Sequence, residues 1–305
     1  PVSSYAPLQG ARIWLSGSIP EDGSISEEQR DKMENFCRDF SRQIFRRGGH
    51  ILHGSHPSIT PILLNEAKKA QKDGGREDAL TLAISRHWSK DQPSKSNDWR
   101  RYAIVYETEE ATGEDAREQS LSILRSYMAA RSDAIVVVGG KWWTEDVQKS
   151  GIIREIELAL QKGIPCFLLG GFGGAAKTYI ESNESILSSI KNGLSAEDNK
   201  LLSTMEDIDS VSSKVSEYLE RLPLVRGRGA DGVSFRILTL DGGGVKGTFS
   251  AALLSSWEVE TGLRIVDHFD LISGTSTGGI VAIGLGLGLS ASEILQFYLE
   301  RGSAI

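Results

Sequence analysis

Short apolar runs that end in paired small residues, each followed by a stretch of helical period, constrain this chain more than any other feature. Arg12–Leu15 runs into Gly17-Ser18, His50–His53 into Gly54-Ser55, Ala134–Val138 into Gly139-Gly140, and Ile164–Leu169 into a glycine-rich stretch from Gly170 to Gly174. Between them lie helical patterns. From Ser26 to Arg47 the apolar positions Met33, Phe36, Cys37, Phe40 and Ile44 repeat at about 3.6 residues, with Ser26 placed to cap the start and Gly48-Gly49 to stop the end. Further helices are predicted over Pro61–Lys72, Glu114–Arg131, Gly151–Lys162 and Ala175–Ile190. Further strands are predicted over Leu80–Trp88 and Tyr102–Glu107. Strands alternating with helices imply an α/β fold, a parallel sheet with helices on both faces. Ligands of such sheets bind outside the carboxyl ends of the strands, and that is the edge where these glycines fall.

The pattern then pauses and restarts. Asn192–Glu206 is polar, Ile208–Leu222 is helical, and Pro223–Gly232 reads as a linker rich in Gly and Arg. A second series follows: strand Ser234–Leu240, helix Thr248–Thr261, strand His268–Ile272, helix Thr277–Gly286, and a helix from Ser290 that is still running at Glu300. The expected organisation is one domain over residues 1–222, a linker over 223–232 and a second domain over 233–305. A chain of 305 residues accommodates both.

Composition narrows the function. The formal net charge of −7 argues against a polymeric nucleic-acid partner, which calls for a basic face. The longest apolar run, Ile280–Leu289, is about half a membrane span, and no signal peptide opens the chain, so a cytoplasmic protein is expected. Cys37 and Cys166 lie in apolar periodic contexts and read as buried thiols. The five histidines have no cysteine partner nearby, so no metal site is expected, and no cofactor either.

Two turns of the second series carry chemistry. Asp241-Gly-Gly-Gly-Val-Lys-Gly247 follows one strand and Gly274-Thr-Ser-Thr-Gly278 follows the next. The latter is G-x-S-x-G between strand and helix, a turn so tight that it lifts the serine hydroxyl above the sheet at a helix N-terminus. Ser276 is therefore the candidate nucleophile. Backbone N–H groups of Gly242, Gly243 and Gly244 are candidate oxyanion donors, each worth about 3 kcal/mol of barrier in comparable enzymes. The Gly242–Lys246 stretch lacks the Gly-Lys-Ser/Thr ending of a P-loop.

From Arg236 to Tyr298, including Val266-Asp-His-Phe-Asp-Leu-Ile-Ser273, the chain resembles the patatin-like phospholipases. That resemblance implies an α/β hydrolase domain of which these are the first β-α-β-α units, and lipid acyl hydrolysis by a Ser–Asp dyad. The family's aspartate lies in a later Asp-Gly-Gly/Ala motif. There is no aspartate between Asp270 and Ile305, and Asp241 belongs to the oxyanion turn. The expectation is a chain that holds nucleophile and oxyanion loop without the base, inactive by itself, from a parent that continues.

The first series offers a ligand site. The motifs Leu15-Ser-Gly-Ser-Ile-Pro20, Gly48-Gly-His-Ile-Leu-His-Gly-Ser55, Val136-Val-Val-Gly-Gly140, Gly151-Ile-Ile-Arg-Glu155 and Pro165-Cys-Phe-Leu-Leu-Gly-Gly-Phe-Gly-Gly174 together resemble the SLOG superfamily over about residues 10–190. That resemblance implies a Rossmann-like nucleotide-ligand sensor. Candidate ligand residues are Gly17, Ser18, Gly54, Ser55, Gly139, Gly140 and Gly171, with Arg154 for a phosphate and Glu155 for ribose hydroxyls. Trp142 and Trp143 are candidates to stack on a base, flanked by Lys141 and Lys149. The related phosphoribohydrolases carry Pro-Gly-Gly-x-Gly-Thr-x-x-Glu. Here Val138 replaces the proline, Lys141–Ser150 is inserted and Ile152 replaces the threonine, which favours binding over hydrolysis.

The combined expectation is a sensor–effector protein resembling bacterial antiviral systems. A nucleotide-derived second messenger binds the first domain, and the second then hydrolyses phospholipid at the inner membrane surface, with self-association as the coupling. Two alternatives stay open: the first domain as a nucleotide N-glycosidase using Glu155, or as a ligand-free oligomerisation scaffold.

Overall fold

The computed structural model describes residues 6–90, 97–144, 146, 149–222, 224, 236–261, 264–269 and 271–301. The chain divides into two compact units, residues 1–226 and 227–305.

Unit 1 is built on six parallel strands: β1 (Arg12–Ser18), β2 (His50–His53), β3 (Leu80–Ser85), β4 (Ile104–Thr108), β5 (Ala134–Gly139) and β6 (Cys166–Leu169). Their order is β4-β3-β2-β1-β5-β6. The connections run one way from β1 to β4, then return to the other side of β1 at β5. This reversal opens a crevice above the carboxyl ends of β1 and β5, the topological switch point of a Rossmann-like sheet. Ser18 pairs with Gly139 at its lip.

Helices cover both faces. On one lie α1 (Glu27–Arg46), α2 (Thr60–Lys72) and α7 (Ile208–Arg221). They bury Phe36, Phe40, Ile44, Leu63, Val215 and Leu219 against the sheet. On the other lie α3 (Ala116–Ala130), α4 (Gly151–Gln161) and α5 (Gly174–Ser182), burying Leu124, Met128, Ile153, Ile156, Ala176 and Ile180. Each large side chain so buried contributes about 1.5–3 kcal/mol. The start of α1 is a capping box: Ser26 Oγ accepts from Gln29 N at 3.2 Å, and Ser26 N donates to Gln29 Oε1 at 2.9 Å.

The structure corrects three sequence readings here. The strand expected over Leu80–Trp88 stops at Ser85, whose hydroxyl accepts from His87 N at 3.2 Å and starts a helical turn over Arg86–Ser89. The helix expected to Ile190 breaks at Asn183, which leaves helical geometry (φ −140°, ψ 55°), and a 3-10 turn follows over Glu184–Ser188. The polar stretch before α7 contains a helix, α6 (Ala196–Thr204), capped by Ser195. Its polar residues conceal a buried role. Asn192 Nδ2 donates to Cys166 O and to Asn199 Oδ1, both at 2.8 Å, so the amides tie α6 to β6 without leaving these groups unpaired. Of the expected linker, only Leu224 lies among the described residues, and it is buried in unit 1.

Unit 2 holds two parallel strands, β7 (Ile237–Leu240) and β8 (Leu271–Gly274), with Ile237 opposite Leu271 and Leu240 opposite Gly274. Helices α8 (Gly247–Thr261), α9 (Thr277–Gly286) and α10 (Ala291–Arg301) pack around Leu254, Val281, Leu285, Ile294 and Tyr298. The strand expected over His268–Ile272 begins later, at Leu271, because Ile265–His268 forms a 3-10 turn. Ile265 N donates to Glu258 Oε1 at 3.0 Å and anchors that turn to α8. No helix among the described residues is long and apolar enough to cross a membrane.

Candidate functional site

In unit 2 the two glycine turns meet. Ser276 stands between β8 and α9 with φ 50° and ψ −123°, a conformation L-residues rarely adopt. Such a residue costs about 1–3 kcal/mol and persists only where its surroundings enforce it. Here the enforcing contacts are backbone. A Cβ on Gly274 would stand 2.3 Å from Gly278 C, and one on Gly278 would stand 2.2 Å from Leu240 O. A Cβ on Gly242 would stand 2.6 Å from Thr275 O and 2.8 Å from Ser276 Cβ. Glycine at these positions lets the loop after β7 touch the serine turn. Thr275 N donates to Leu240 O at 3.1 Å, and Tyr298 Oη on α10 donates to Thr277 O at 2.8 Å, closing the turn from both sides.

Ser276 is exposed and opens α9, whose dipole favours an anion there. Two of the three candidate oxyanion donors are already engaged. Gly242 N donates to Thr275 Oγ1 at 3.0 Å and Gly243 N to Thr277 Oγ1 at 3.2 Å. Thr277 is buried, so its hold on Gly243 is structural, whereas Thr275 is exposed and can rotate away from Gly242. Gly244 (φ 58°) begins a short 3-10 turn over Gly244–Lys246. Among the described residues, no carboxylate or imidazole bonds to the Ser276 hydroxyl.

In unit 1 a cavity of about 250 Å³ lies over the carboxyl ends of β1 and β2, walled by α3 and α4. Gly17, Ser18, Gly54 and Glu155 line it; Ser55, Gly139, Gly140, Trp142, Arg154 and Gly171 do not. The reasons are geometric. Adjacent helix residues point about 100° apart, and here Glu155 turns to the cavity while Arg154 turns to α3. Gly151, Ile152 and Glu155 form the inner face of α4, and Arg154 instead pairs with Glu118 of α3. Gly139 (φ 64°) and Gly140 (φ 86°) make the turn out of β5, and the Gly140 N–H is spent on Ser18 O at 2.7 Å. Gly171 is packed against backbone, where a Cβ would stand 2.0 Å from Met205 O. Trp142 is half-buried against the α3–α4 core, and its neighbour Trp143 faces the cavity instead.

The cavity also gathers side chains the motifs did not name. Ser16 Oγ donates to Glu155 Oε2 at 2.5 Å. Arg125, nearly buried on α3, holds its Nε 3.7 Å from Glu155 Oε1 and its Nη1 3.4 Å from Glu118 Oε1. Burial pushes the Glu155 carboxyl above the usual range, against the pull of Ser16 and Arg125. Lys141 Nζ lies over the Trp143 ring, 4.3 Å from its centre, and 3.2 Å from Asp22 Oδ2. His53, at the end of β2, completes the lining. The helical period of α3 could have flagged Arg125 as a charge among inward positions; Ser16 and His53 lie within the glycine motifs at the ends of β1 and β2, but those motifs gave them no role. Among the described residues no group of His, Cys, Asp and Glu is placed to hold a metal ion.

Residues 89–233 match the SLOG cluster2 family, and residues 238–304 match the patatin-like phospholipase family. The chain joins a SLOG cluster2 domain to a patatin-like phospholipase segment. The SLOG match begins after β3 and runs through α7, so β1 and β2 lie outside it although residues 14–18 of β1 and His53 of β2 line the cavity. A cGAMP-activated phospholipase of Pseudomonas aeruginosa is 42% identical over 72 residues, 24% of this chain and 22% of its own length. A cUMP-AMP-activated phospholipase of Escherichia coli is 41% identical over 66 residues, covering 22% and 21%. Phospholipase A I of Arabidopsis thaliana is 46% identical over 69 residues, covering 23% and 5%. The chain thus spans about a fifth of the length of the activated relatives it matches.

Proposed function

We propose that the patatin-like segment supplies the nucleophile and oxyanion loop of a lipid acyl hydrolase, switched on when a nucleotide-derived second messenger occupies the unit 1 cavity. The observation that carries the hydrolase half is the Ser276 turn: a non-glycine residue at φ 50°, exposed at the start of α9, with Gly242 so close that a Cβ there would stand 2.8 Å from its own. In this reading Ser276 Oγ attacks the ester carbonyl of a phospholipid. The developing oxyanion takes the Gly242 N–H once Thr275 rotates away, together with the donors at the start of the Gly244 turn. The α9 dipole adds to that stabilisation. An acid–base partner takes the serine proton, as an aspartate does in the patatin-like family.

The sensor half rests on the cavity over the carboxyl ends of β1 and β2. Arg125 and Lys141 offer positive charge, Glu155 accepts hydrogen bonds, and Trp143 offers an aromatic face. The activated relatives are named for cyclic dinucleotide messengers, which suits this chemistry. A role in bacterial antiviral defence, action at the inner membrane surface and coupling by self-association of unit 1 belong to the same proposal.

Fatty-acid release from phospholipid vesicles, by a protein that carries this chain together with its acid–base partner and with and without cyclic dinucleotides and ADP-ribose derivatives, tests it. Expected is messenger-dependent release that Ser276→Ala abolishes; release unchanged by Ser276→Ala sinks the hydrolase half. The raised carboxyl of Glu155 favours a second reading, unit 1 as a nucleotide N-glycosidase. Free base in the reaction products would select it.

A further inference from the structure

Two residues lining the cavity leave buried hydrogen-bonding capacity open: Arg125, whose Nε lies 3.7 Å from Glu155 Oε1, and His53, whose open group is an acceptor. His53 is the last residue of β2 and is 1% exposed. Its Nδ1 lies 2.8 Å from Leu15 O. A carbonyl oxygen only accepts, so Nδ1 carries the hydrogen, and Nε2 of the neutral ring bears a lone pair. Burial pushes the imidazole down to about 4, so the ring stays neutral around pH 7. His53 Nε2 is buried and has no partner. The same strand supplies the contrast: His50, equally enclosed, has its Nε2 paired with Thr81 Oγ1 at 2.8 Å. Buried polar groups are nearly always paired, and His53 lines the cavity, so its unpaired acceptor can take a donor that arrives from outside.

We infer that His53 is a specificity-determining acceptor of the unit 1 cavity: a ligand sugar hydroxyl donates to its Nε2, so the cavity selects ribonucleotides with that hydroxyl free over their deoxy forms. The inference rests on the nucleotide reading above and deepens it.

Neighbouring groups fix the ligand chemistry. Glu155 is a second acceptor on the same wall, already fixed by Ser16, and can accept from another donor of the same ligand. Arg125 and Lys141 supply cationic charge for a phosphate joined to that sugar. Trp143, 42% exposed, provides the flat face for a base where the cavity meets solvent. A group lacking the hydroxyl would leave the buried lone pair unanswered, and sites built to pair a hydroxyl discriminate strongly against analogues without it.

Calorimetric titration of the chain with AMP and GMP, and with their 2′-deoxy and 3′-deoxy forms, decides the matter. Expected is a Kd about tenfold or more weaker for one deoxy series, with the deficit lost in His53→Phe. Titration followed by the Nε2 resonance of 15N-labelled histidine should also show that nitrogen shifting as the ribonucleotide binds. Equal affinity for ribo and deoxy forms overturns the inference and leaves nucleotide binding standing. So does a deficit that persists in folded His53→Phe. Failure of AMP and GMP, and of the cyclic dinucleotides and ADP-ribose derivatives of the vesicle assay, to bind overturns both. Should His53→Phe not fold, the wild-type comparison and the resonance decide alone, and an Nε2 signal that AMP or GMP binding leaves unmoved overturns the inference.

Discussion

Unit 1 and unit 2 use the same local grammar, a parallel strand running into a glycine turn and then a helix, but they enclose it differently. In unit 1, β5 and β6 are buried along their whole length, with helices on both faces. In unit 2, β7 and β8 are largely open, with Ile237 53% and Leu271 45% exposed. Its helices expose Phe249, Val259, Ile283, Leu287 and Leu299, while unit 1 exposes few side chains of this kind. Parallel sheets are ordinarily covered on both faces, so unit 2 forms its serine turn without the enclosure that unit 1 has. The difference separates two kinds of site. The serine turn is shaped by contacts of glycines with the backbone around them, all between Leu240 and Gly278. The cavity needs side chains spread from Trp14 to Glu155, brought together only by the sheet order.

The sharpest test of that contrast is Ser276→Ala, expected to cut messenger-dependent fatty-acid release by about ten-thousand-fold or more while leaving nucleotide affinity unchanged. Calorimetry and the vesicle assay together check it. A loss of nucleotide binding would break the separation of the two sites.

Steric glycines come next. Gly17→Ala places a Cβ 2.1 Å from Val138 O, in unit 1, and Gly278→Ala places one 2.2 Å from Leu240 O, in unit 2. Each should cost about 3 kcal/mol or more. The melting temperature of its own unit should fall on the order of 10 °C for Gly17→Ala. Scanning calorimetry should show Gly17→Ala acting on one transition and Gly278→Ala on the other. A common shift in both would mean the units melt as one.

Acid should act on unit 1 through His50 and His53. Both imidazoles are pushed down by burial to about 4 from an ordinary 6.5. Between those values the unfolded chain binds more protons than the folded one, so stability rises with pH. The contribution is fully present above about pH 6.5 and is lost as pH falls toward 4. Denaturant midpoints measured across that window should show the slope, and His50→Gln should flatten it.

Smaller still is the difference between two arginines of the α3–α4 wall. Arg125→Met should weaken nucleotide affinity about tenfold, because it removes a charge lining the cavity. Arg154→Met should change it less than about twofold, since Arg154 pairs with Glu118 away from the cavity. The opposite ranking would return the phosphate to Arg154.

Sequence determined what depends on neighbours along the chain. The Ser26 cap, the strand His50–His53 and the helix Thr277–Gly286 were all legible, because caps, short apolar runs and glycine turns act over a few residues. The strand–glycine–serine–glycine–helix order around Ser276 was legible for the same reason. Residues 192–206 were harder, since α6 buries Asn199 and Asn192 in place of an apolar stripe, and no period announced it. Tertiary structure alone decided the cavity of unit 1. It turned Glu155 inward and Arg154 outward on one helix, chose Trp143 over Trp142, and brought Arg125 from α3 to the wall. It also left His53 Nε2 without a partner while pairing that of His50 three residues earlier. A side chain's direction follows from which face of its element meets the sheet, and that is fixed by packing between elements far apart in the chain.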